Sequence, residues 1–191
     1  MENRYFMLNI NFGTPIVMNR PGFKKPADIP NEMFVQYEHE HFKEKLNINQ
    51  AGRPIIPMQA IQRTLRNAVR FCTLKPPKGF RTWTALAKDC LLVLDDAVIE
   101  CGDKQIVPWH AFVNQQGRMG KTVMVETVRP MILLPASAGA KVLVFDDRMN
   151  VEFLEDLVDI AGRIVVFMSA RTLGNGRATI GLQQISKEVL D

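Results

Sequence analysis

Residues 52–71 read GRPIIPMQAIQRTLRNAVRF and join a short apolar segment to an amphipathic helix. Gly52 to Ile56 forms the apolar segment, and Pro57 stands where the first turn of a helix tolerates proline. Apolar residues then recur at helical spacing, which predicts a helix with one face turned toward a protein core. The residues of this apolar face are Ile61, Leu65, Ala68 and Cys72.

The other face of the same helix is basic, and the basic character continues beyond it. Arg63, Arg66 and Arg70 share one side of the helix because of their spacing. Lys and Arg hold phosphates, and aromatic rings stack on unpaired bases, so the composition of residues 61–90 suits a single-stranded nucleic acid. The further basic and aromatic residues of this stretch are Lys75, Lys78, Arg81, Lys88, Phe71, Phe80 and Trp83.

Two structural alternatives stay open for this basic stretch. A solvated helix face followed by a basic loop, with the aromatic rings packed into the core, would have the same composition. The arginines could also pair with acidic residues of the same chain, such as Glu38 or Glu40, and hold the segment that precedes the helix.

Around this helix, the chain mixes strands and helices without the regular alternation of a doubly wound sheet. Bulky and polar residues alternate from Tyr5 to Asn11, which predicts a strand. Asn150 is the predicted N-cap of a helix that Gly162 ends. The outer stripe of that helix is acidic and consists of Glu152, Glu155, Asp156 and Asp159. The other predicted elements are a helix capped by Asn31 over residues 33–46 and strands over 90–99, 121–134, 141–145, 164–168 and 178–185.

A second candidate site is the glycine-bearing segment RTLGNGRATIG, residues 171–181. Glycines let backbone amides approach a phosphate, and flanking arginines neutralise its charge. A tight turn between two strands would use the same residues, so that alternative stays open. The candidate phosphate-binding residues are Arg171, Gly174, Gly176 and Arg177.

Residues 117–122, GRMGKT, resemble the end of a phosphate-binding P-loop. That motif needs a glycine where this chain has Gln115, and a helix afterwards, whereas a β-type sequence follows here. We therefore expect no nucleotide hydrolysis, and we keep Arg118 and Lys121 as candidate contacts to a phosphate backbone.

The three histidines form no catalytic or metal-binding pattern. His39 and His41 lie two apart, which on a helix points them in different directions, and the HExxH spacing is absent. His110 stands alone beside Trp109 in the sequence. We expect no metal, no cofactor and no enzymatic activity.

The composition is that of an ordinary soluble protein that lives in a reducing cytoplasm. The net charge of +4 permits an anionic partner without requiring one. Cys72, Cys90 and Cys101 form no CxxC pair, and their odd number leaves no complete disulfide set. No signal peptide is recognisable at the N-terminus, and no apolar run approaches the roughly 20 residues of a membrane span.

Several of these segments together resemble the RAMP superfamily, which includes the CRISPR effector subunits that line up along guide RNA. The strand, Pro-capped helix and basic residues of 52–68 carry the resemblance, with Gly176-Arg177 and the final strand. The layout is also similar to small phage-encoded RAMP-like proteins, through Val17-Met18-Asn19, Arg129-Pro130 and Ala161-Gly162. The aromatic residue that follows the last Gly-Arg in those phage proteins is missing here.

The resemblance implies a modified RRM-type fold that binds RNA or single-stranded DNA, often as a head-to-tail oligomer. We therefore predict one α+β domain over residues 1–191, with a ferredoxin-like core of mainly antiparallel sheet, helices on one face, and insertions near 13–50 and 75–120. Its predicted function is sequence-tolerant, non-catalytic binding of single-stranded nucleic acid by a homo-oligomer. The predicted contacts are Arg63, Arg66, Arg70, Lys75, Lys78, Arg81, Arg118, Lys121, Arg171, Gly174, Gly176 and Arg177.

Two other functions stay open. One is a RAMP-type endoribonuclease that cuts RNA without a metal by general acid–base chemistry, for which His39, His41 and His110 are the candidates. The other is a phage-encoded interaction protein whose basic face meets an acidic protein and so modulates a host complex.

Overall fold

The computed structural model describes residues 3–20, 23–24, 26–116, 122–165, 167 and 175–190. Its main feature is a six-stranded antiparallel sheet. The strands of this sheet are β1 (Arg4–Phe12), β3 (Ile55–Ile56), β4 (Leu91–Val93), β5 (Ala97–Glu100), β8 (Ser137–Val144) and β9 (Ala178–Ile185). Their order is β3-β5-β8-β1-β9, and β4 also pairs with β8.

The order of these strands is ferredoxin-like, which confirms the predicted fold class. One helix, α2 (Met58–Ala68), lies between β1 and the strand pair β4–β5 in the chain, and another, α4 (Val151–Ile160), lies between β8 and β9. Strands β8 and β9 both pair with β1, so the last strand returns beside the first. The shorter helices α1 (Phe34–Glu40) and α3 (Trp83–Cys90) lie in the connections.

Alternation along β1 decides which side of the sheet carries the core. Four apolar side chains of this strand are buried, and Asn9 and Asn11 between them are exposed on the opposite face. Helices α2 and α4 cover the buried side, where Phe153 of α4 stacks on Trp83 of α3 with ring centres 3.8 Å apart. The buried side chains of β1 are Phe6, Leu8, Ile10 and Phe12.

The two core helices begin where the sequence predicts. Pro57 precedes α2, and its carbonyl accepts hydrogen bonds from the Ala60 and Ile61 N–H groups at 2.8 and 3.2 Å. The Asn150 side chain caps α4 by accepting from the Phe153 N–H at 2.9 Å. On the apolar face of α2, Ile61, Leu65 and Ala68 are buried and Cys72 beyond it is half-buried.

The end of α4 differs from the prediction. Gly162 does not stop the helix, because a π-helical turn continues over Ala161–Val165. A Cβ atom at Gly162 would collide with the Ala178 carbonyl, so glycine here lets the turn approach β9 closely. The predicted strand over 164–168 is therefore wrong at its first two residues, which are helical, and most of the rest lies outside the described residues.

The structure also corrects three elements of the first two-thirds of the chain. The predicted strand over 90–99 is the end of α3 followed by the two strands β4 and β5, with a turn between them. The predicted helix over 33–46 is broken at His41 into α1 and a 3-10 turn, and Asn31 lies in a separate 3-10 turn. The third is a strand, β6 (Ile106–Gln116), in a segment predicted to be a loop.

A second, three-stranded sheet contains β6, β7 (Thr122–Ile132) and β2 (Ile16–Val17) in the order β2-β7-β6. Pro108 is tolerated in β6 because this strand lies at the edge of that sheet. Beyond the short β2, side chains bond the backbone of β7 at Val128. The Lys45 ammonium donates to the Val128 carbonyl at 2.6 Å, and the Val128 N–H donates to Glu38 Oε2 at 2.8 Å.

Lys45 and Glu38 also form a buried ion pair with each other. Burial lowers the pKa of Lys45, and the hydrogen bond and charge of Glu38 act in the opposite direction. Removal of either partner would leave a buried charge without compensation, which is strongly destabilising. This pair therefore fixes α1 and the turn after it against β7.

Candidate nucleic-acid interface

A cleft of about 550 Å³ lies between α2, α3 and β4, and we name it the α2–α3 cleft. Its floor is apolar and comes from Met58, Ala87, Leu92 and Val93. Leu92 is 43% exposed because β4 is short and its outer edge has no neighbouring strand among the described residues, and it lines the cleft at this edge. The cationic residues of the lining are Arg63, Arg66, Arg70 and Lys88, and its uncharged polar residues are Gln59, Gln62, Asn67 and Thr84.

Gln62 holds the cleft in shape. Its Nε2 donates to the Leu91 carbonyl at 3.0 Å, and its Oε1 accepts from the Val93 N–H at 2.8 Å. The Gln62 side-chain amide thus forms with β4 the two hydrogen bonds that the backbone of a neighbouring strand would form. A further bond, from the Met58 N–H to Asp96 Oδ1 at 2.7 Å, fixes the start of α2. These bonds set the rotation of α2, which turns its arginines away from the core.

The electrostatics of the α2–α3 cleft are one-sided. All four cationic side chains are exposed, and no carboxylate is among the lining residues. Arg66 Nη2 donates to the Lys88 carbonyl at 3.3 Å, which links α2 to the last turn of α3. Within the described ranges, none of the four cations forms an ion pair. Their charge is therefore available to an anion.

The acidic residues proposed as partners for the arginines are engaged elsewhere. Glu38 is buried against Lys45, and Glu40 accepts a hydrogen bond from Gln36 Nε2 at 3.1 Å. The idea that the arginines hold the preceding segment through Glu38 or Glu40 is therefore wrong.

The loop that follows α2 adds charge but little stacking surface. Lys75, Lys78 and Arg81 are exposed, and none of them lines the α2–α3 cleft. Trp83 is buried and donates from Nε1 to the Leu74 carbonyl at 2.9 Å. Of the three aromatic residues of this stretch, Phe71 alone is largely exposed, at 54%.

Phe80, the third of these rings, is half-buried and lies 4.7 Å beneath the Arg148 guanidinium. Arg148 in turn is paired with Asp146 at 2.5 Å, and hydrogen bonds from Arg148 hold the pKa of Asp146 at about 2. Packing of the aromatic rings, the structural alternative, is therefore right for Trp83 and in part for Phe80.

The glycine-bearing segment is described only from residue 175 onward. The predicted contacts Arg118, Lys121, Arg171 and Gly174 lie outside the described residues. Gly176 has φ +78°, which favours glycine, and its N–H donates to the Pro15 carbonyl at 2.8 Å. Because that amide is already bonded within the protein, it is not free for a phosphate, and the turn interpretation is right for Gly176.

Arg177 is exposed but lies away from the α2–α3 cleft. Its N–H donates to Thr14 Oγ1 at 2.8 Å, and the next residue pairs with Phe12 at the end of β1. Strand β4 lies along the opposite end of β8, where Leu91 pairs with Val144. The described part of the glycine-bearing segment, from residue 175 onward, is thus not brought to the α2–α3 cleft.

The open face of the six-stranded sheet has a different character from the α2–α3 cleft. Asn9 lies between Gly139 and Gly181 on the neighbouring strands, so the middle of this face has little side-chain volume. A hollow of about 460 Å³ at its β5 side is lined by the carboxylates of Asp95, Asp96 and Glu100. This side of the sheet would repel a phosphate backbone.

Sequence reasoning found the arginine face of α2 and missed the rest of the α2–α3 cleft. Lys88 stood out as basic but could not be placed, because α3 was not predicted. Gln62 carried no signal in the sequence, since its role depends on which strand lies beside it. Among the described residues, no group of three or more His, Cys, Asp or Glu side chains could hold a metal ion. No helix in the described part of the chain is long and apolar enough to cross a membrane.

Comparison with known proteins shows what this fold is similar to. No protein-family profile matches the chain, and no curated protein matches its sequence. A chain in the cryo-EM structure of the type III-B Cmr-beta bound to cognate target RNA matches at a TM-score of 0.56 and 10% identity. The match covers 96% of this chain and 61% of that one, so this chain spans less than two-thirds of its neighbour's length.

A second solved structure, Cmr6 from Pyrococcus furiosus, matches at a TM-score of 0.49 and 12% identity, over 97% of this chain and 100% of that one. The predicted phage relationship has no counterpart in these matches and stays a prediction. What the likeness to the Cmr-beta chain shows is the fold: this chain has a ferredoxin-like α+β architecture.

Proposed function

We propose that this protein binds single-stranded nucleic acid, without catalysing a reaction, in the α2–α3 cleft. The observation that carries the proposal is the set of four exposed cations around an apolar floor, with no carboxylate in the lining. Phosphates are held by Lys and Arg, and arginine offers a planar fork of donors that suits phosphate oxygens. Three of the four cations are arginines.

The apolar floor supports a single strand over a duplex. In a duplex the bases are stacked and paired, so a protein surface outside the grooves meets mainly phosphates. A single strand can turn an unstacked base toward the exposed side chain of Met58 while its phosphates contact the arginines of α2. Phe71 beside the rim offers a stacking ring, and Asn67 and Thr84 offer polar groups to a base or sugar.

The similarity in fold adds support of a different kind. The neighbour of higher TM-score comes from a structure whose title describes a complex bound to cognate target RNA. That match makes RNA a reasonable first ligand, and it is also the ground for proposing a homo-oligomer that lines up along a strand. Three free cysteines fit the reducing cytoplasm that we propose as its location.

The proposal is tested by fluorescence anisotropy with labelled single-stranded RNA, single-stranded DNA and duplex DNA at two salt concentrations. We expect both single strands to bind more tightly than the duplex, with a slope of log affinity against log salt near −0.7 per phosphate contact. Binding that is absent at low salt, or that does not respond to salt, would overturn the proposal. Light scattering on the same complexes measures the number of copies per strand.

The two other functions predict different results. An endoribonuclease would cut labelled RNA in a single turnover without a metal ion, and we expect the RNA to stay intact. A protein-interaction module would be retained on heparin but form no defined complex with oligonucleotides of increasing length. Cleavage products that disappear in His110→Ala would favour the endoribonuclease and contradict binding without catalysis. Retention on heparin without a defined oligonucleotide complex would favour the protein-interaction module.

A further inference from the structure

Two histidines that are far apart in the sequence meet on the outside of the second sheet. His39 comes from α1 and His110 from β6, and their ring centres are 5.4 Å apart. The Nδ1 atom of His110 lies 2.8 Å from Glu126 Oε1, on the paired strand β7. His110, which stands alone in the sequence, is therefore part of a three-residue cluster that no sequence spacing reveals.

We propose that His39 and His110 bind a transition-metal ion of the zinc class, with Glu126 as the residue that orients His110. A neutral His110 ring that donates from Nδ1 to the Glu126 carboxylate presents the lone pair of Nε2 outward. Metal-binding histidines characteristically donate their second ring nitrogen to a carboxylate or carbonyl in this way. Imidazole is a preferred ligand of Zn²⁺, Ni²⁺ and Cu²⁺.

The separation of the two rings suits one shared ion. Zinc–nitrogen bonds of about 2.0–2.1 Å in tetrahedral geometry put two imidazole centres on the order of 5 Å apart. The observed separation of the ring centres, 5.4 Å, is close to this value. No described residue forms a hydrogen bond with the His39 ring, so its nitrogens are available to an ion.

The elements that carry the cluster are held firmly. Glu38, next to His39, accepts from the Val128 N–H, and Lys45 donates to the Val128 carbonyl. These buried bonds fix α1 against β7, close to Glu126 in the same strand. The two histidines are thus presented by elements whose relative position is set by the core, and a pre-positioned pair loses little freedom when it binds an ion.

The site has two protein ligands and leaves the other positions of the ion to water or to an oxygen of a bound molecule. Zinc sites in enzymes have three protein ligands and one open position, so a pair of histidines is expected to bind the ion more weakly and more reversibly than such a site. Such an ion would add positive charge to a surface outside the α2–α3 cleft, since none of the three residues lines that cleft.

The chain supplies a matched control in His41. This residue lies on the same segment as His39, but its ring stacks on Tyr37 at 4.3 Å and its Nδ1 lies 2.8 Å from Glu44. The cysteines compete poorly as ligands at neutral pH. Burial raises the pKa of all three thiols, and with the charge of Asp156 nearby it raises the pKa of Cys72 to about 12.

The test is calorimetric titration of the full-length chain, free of any histidine tag, with ZnCl₂ at pH 7.5. We expect one saturable equivalent of zinc per chain. His39→Ala and His110→Ala should each weaken it at least about tenfold, and Glu126→Gln roughly 10- to 100-fold because the carboxylate no longer orients the ring. His41→Ala should bind zinc as the wild type does. Thermal melting of each variant without zinc checks that it is folded, and His39→Ala, on an exposed helix surface, serves if His110→Ala unfolds.

Two results would overturn the proposal. One is the absence of a saturable single equivalent in the wild type. The other is a loss of affinity in His41→Ala as large as that in His39→Ala, which would mean that scattered surface histidines take up the ion. Nucleic-acid binding is not needed for this measurement, so its outcome is independent of the function proposed for the α2–α3 cleft.

Discussion

The helix side and the open face of the six-stranded sheet present two opposite surfaces to solvent. On the helix side, Arg63, Arg66, Arg70 and Lys88 surround an apolar floor without a carboxylate. On the open face, glycines flank Asn9, and the hollow at the β5 side is lined by the carboxylates of Asp95, Asp96 and Glu100. In an RRM the bases stack on aromatic residues of the sheet. On the open face of β1 the single aromatic residue is Tyr5, which is half-buried between Leu143 and Ile185 of the neighbouring strands. The cations cluster instead on the helix side, which is why the proposed phosphate contacts are assigned to the helices.

The difference comes from what each surface needs for folding. The open-face carboxylates of Asp95 and Asp96 have structural partners, since they accept from the Lys141 N–H and the Met58 N–H, both at 2.7 Å. Among the described residues, the arginines of α2 form no comparable structural bond, apart from the single hydrogen bond of Arg66 to the Lys88 carbonyl. Charged groups that the fold does not use are the better candidates for a ligand.

The largest effect on nucleic-acid affinity is expected when the three arginines of α2 are replaced. Each phosphate contact contributes about 0.7 to the salt slope, so the triple variant Arg63→Gln/Arg66→Gln/Arg70→Gln should lower the slope by about 2 and weaken binding about 100-fold near 0.1 M salt. Anisotropy titrations at several salt concentrations measure both quantities. The side chains are exposed, so thermal melting should change little.

A matched control for this variant is Lys43→Gln/Lys104→Gln/Lys187→Gln. These three lysines are exposed and lie outside the α2–α3 cleft. Their substitution removes the same net charge as the triple arginine variant. We expect only a small loss of affinity from it. Equal losses in the two triple variants would mean that overall charge, and not the helix side, attracts the strand.

The next effect concerns the support of the α2–α3 cleft. Gln62→Ala leaves the Leu91 carbonyl and the Val93 N–H without their partner, and an unmade bond to a buried polar group costs about 1–3 kcal/mol. Urea unfolding should detect this loss, and binding should weaken because α2 is no longer fixed to β4. Gln59→Ala, also in the cleft lining but without such a bond, is the control. Unchanged stability in Gln62→Ala would contradict the supporting role.

A smaller effect isolates one contact. Arg66→Ala should lower the salt slope by about 0.7, which corresponds to about a fivefold loss of affinity near 0.1 M salt. Its melting temperature should stay nearly constant, because an exposed hydrogen bond to the Lys88 carbonyl contributes little. A lower melting temperature with an unchanged slope would assign Arg66 to structure instead of binding.

The smallest effect comes from the acidic outer side of α4. Glu152 and Glu155 are exposed there, whereas Asp156, predicted to belong to the same stripe, is half-buried beside the Cys72 thiol. Glu152→Lys/Glu155→Lys should leave binding intact or strengthen it by a small factor through non-specific attraction. A large loss of affinity in a folded variant would place the strand against α4.

Local rules were sufficient for the parts of the fold with strong local signals. The alternation from Tyr5 to Asn11, the proline before α2 and the Asn150 cap each predicted an element that the structure contains. Prediction failed where tertiary pairing decides the structure. Strand β6 contains Pro108 and polar residues that locally favour a loop, and it is a strand because β7 pairs with it.

In the candidate site, too, some features follow from local sequence signals and others depend on tertiary packing. The spacing of Arg63, Arg66 and Arg70 predicts a basic helix face, and their exposure follows from burial of the opposite face. The wall formed by α3, the bond from Gln62 to β4, and the meeting of His39 with His110 across 71 positions depend on long-range packing. No local pattern in the sequence carries that information.

The central claim, that the strand lies on the helix side, is tested most directly by photocrosslinking. Single-stranded RNA that contains 4-thiouridine is bound, irradiated and digested, and the attached peptides are identified by mass spectrometry. We predict crosslinks within α2, the loop after it, and α3, with Phe71 and Met58 as the expected acceptors. Crosslinks confined to the exposed residues of β1, β8 and β9 would contradict the account, because they would place the strand on the open face of the sheet.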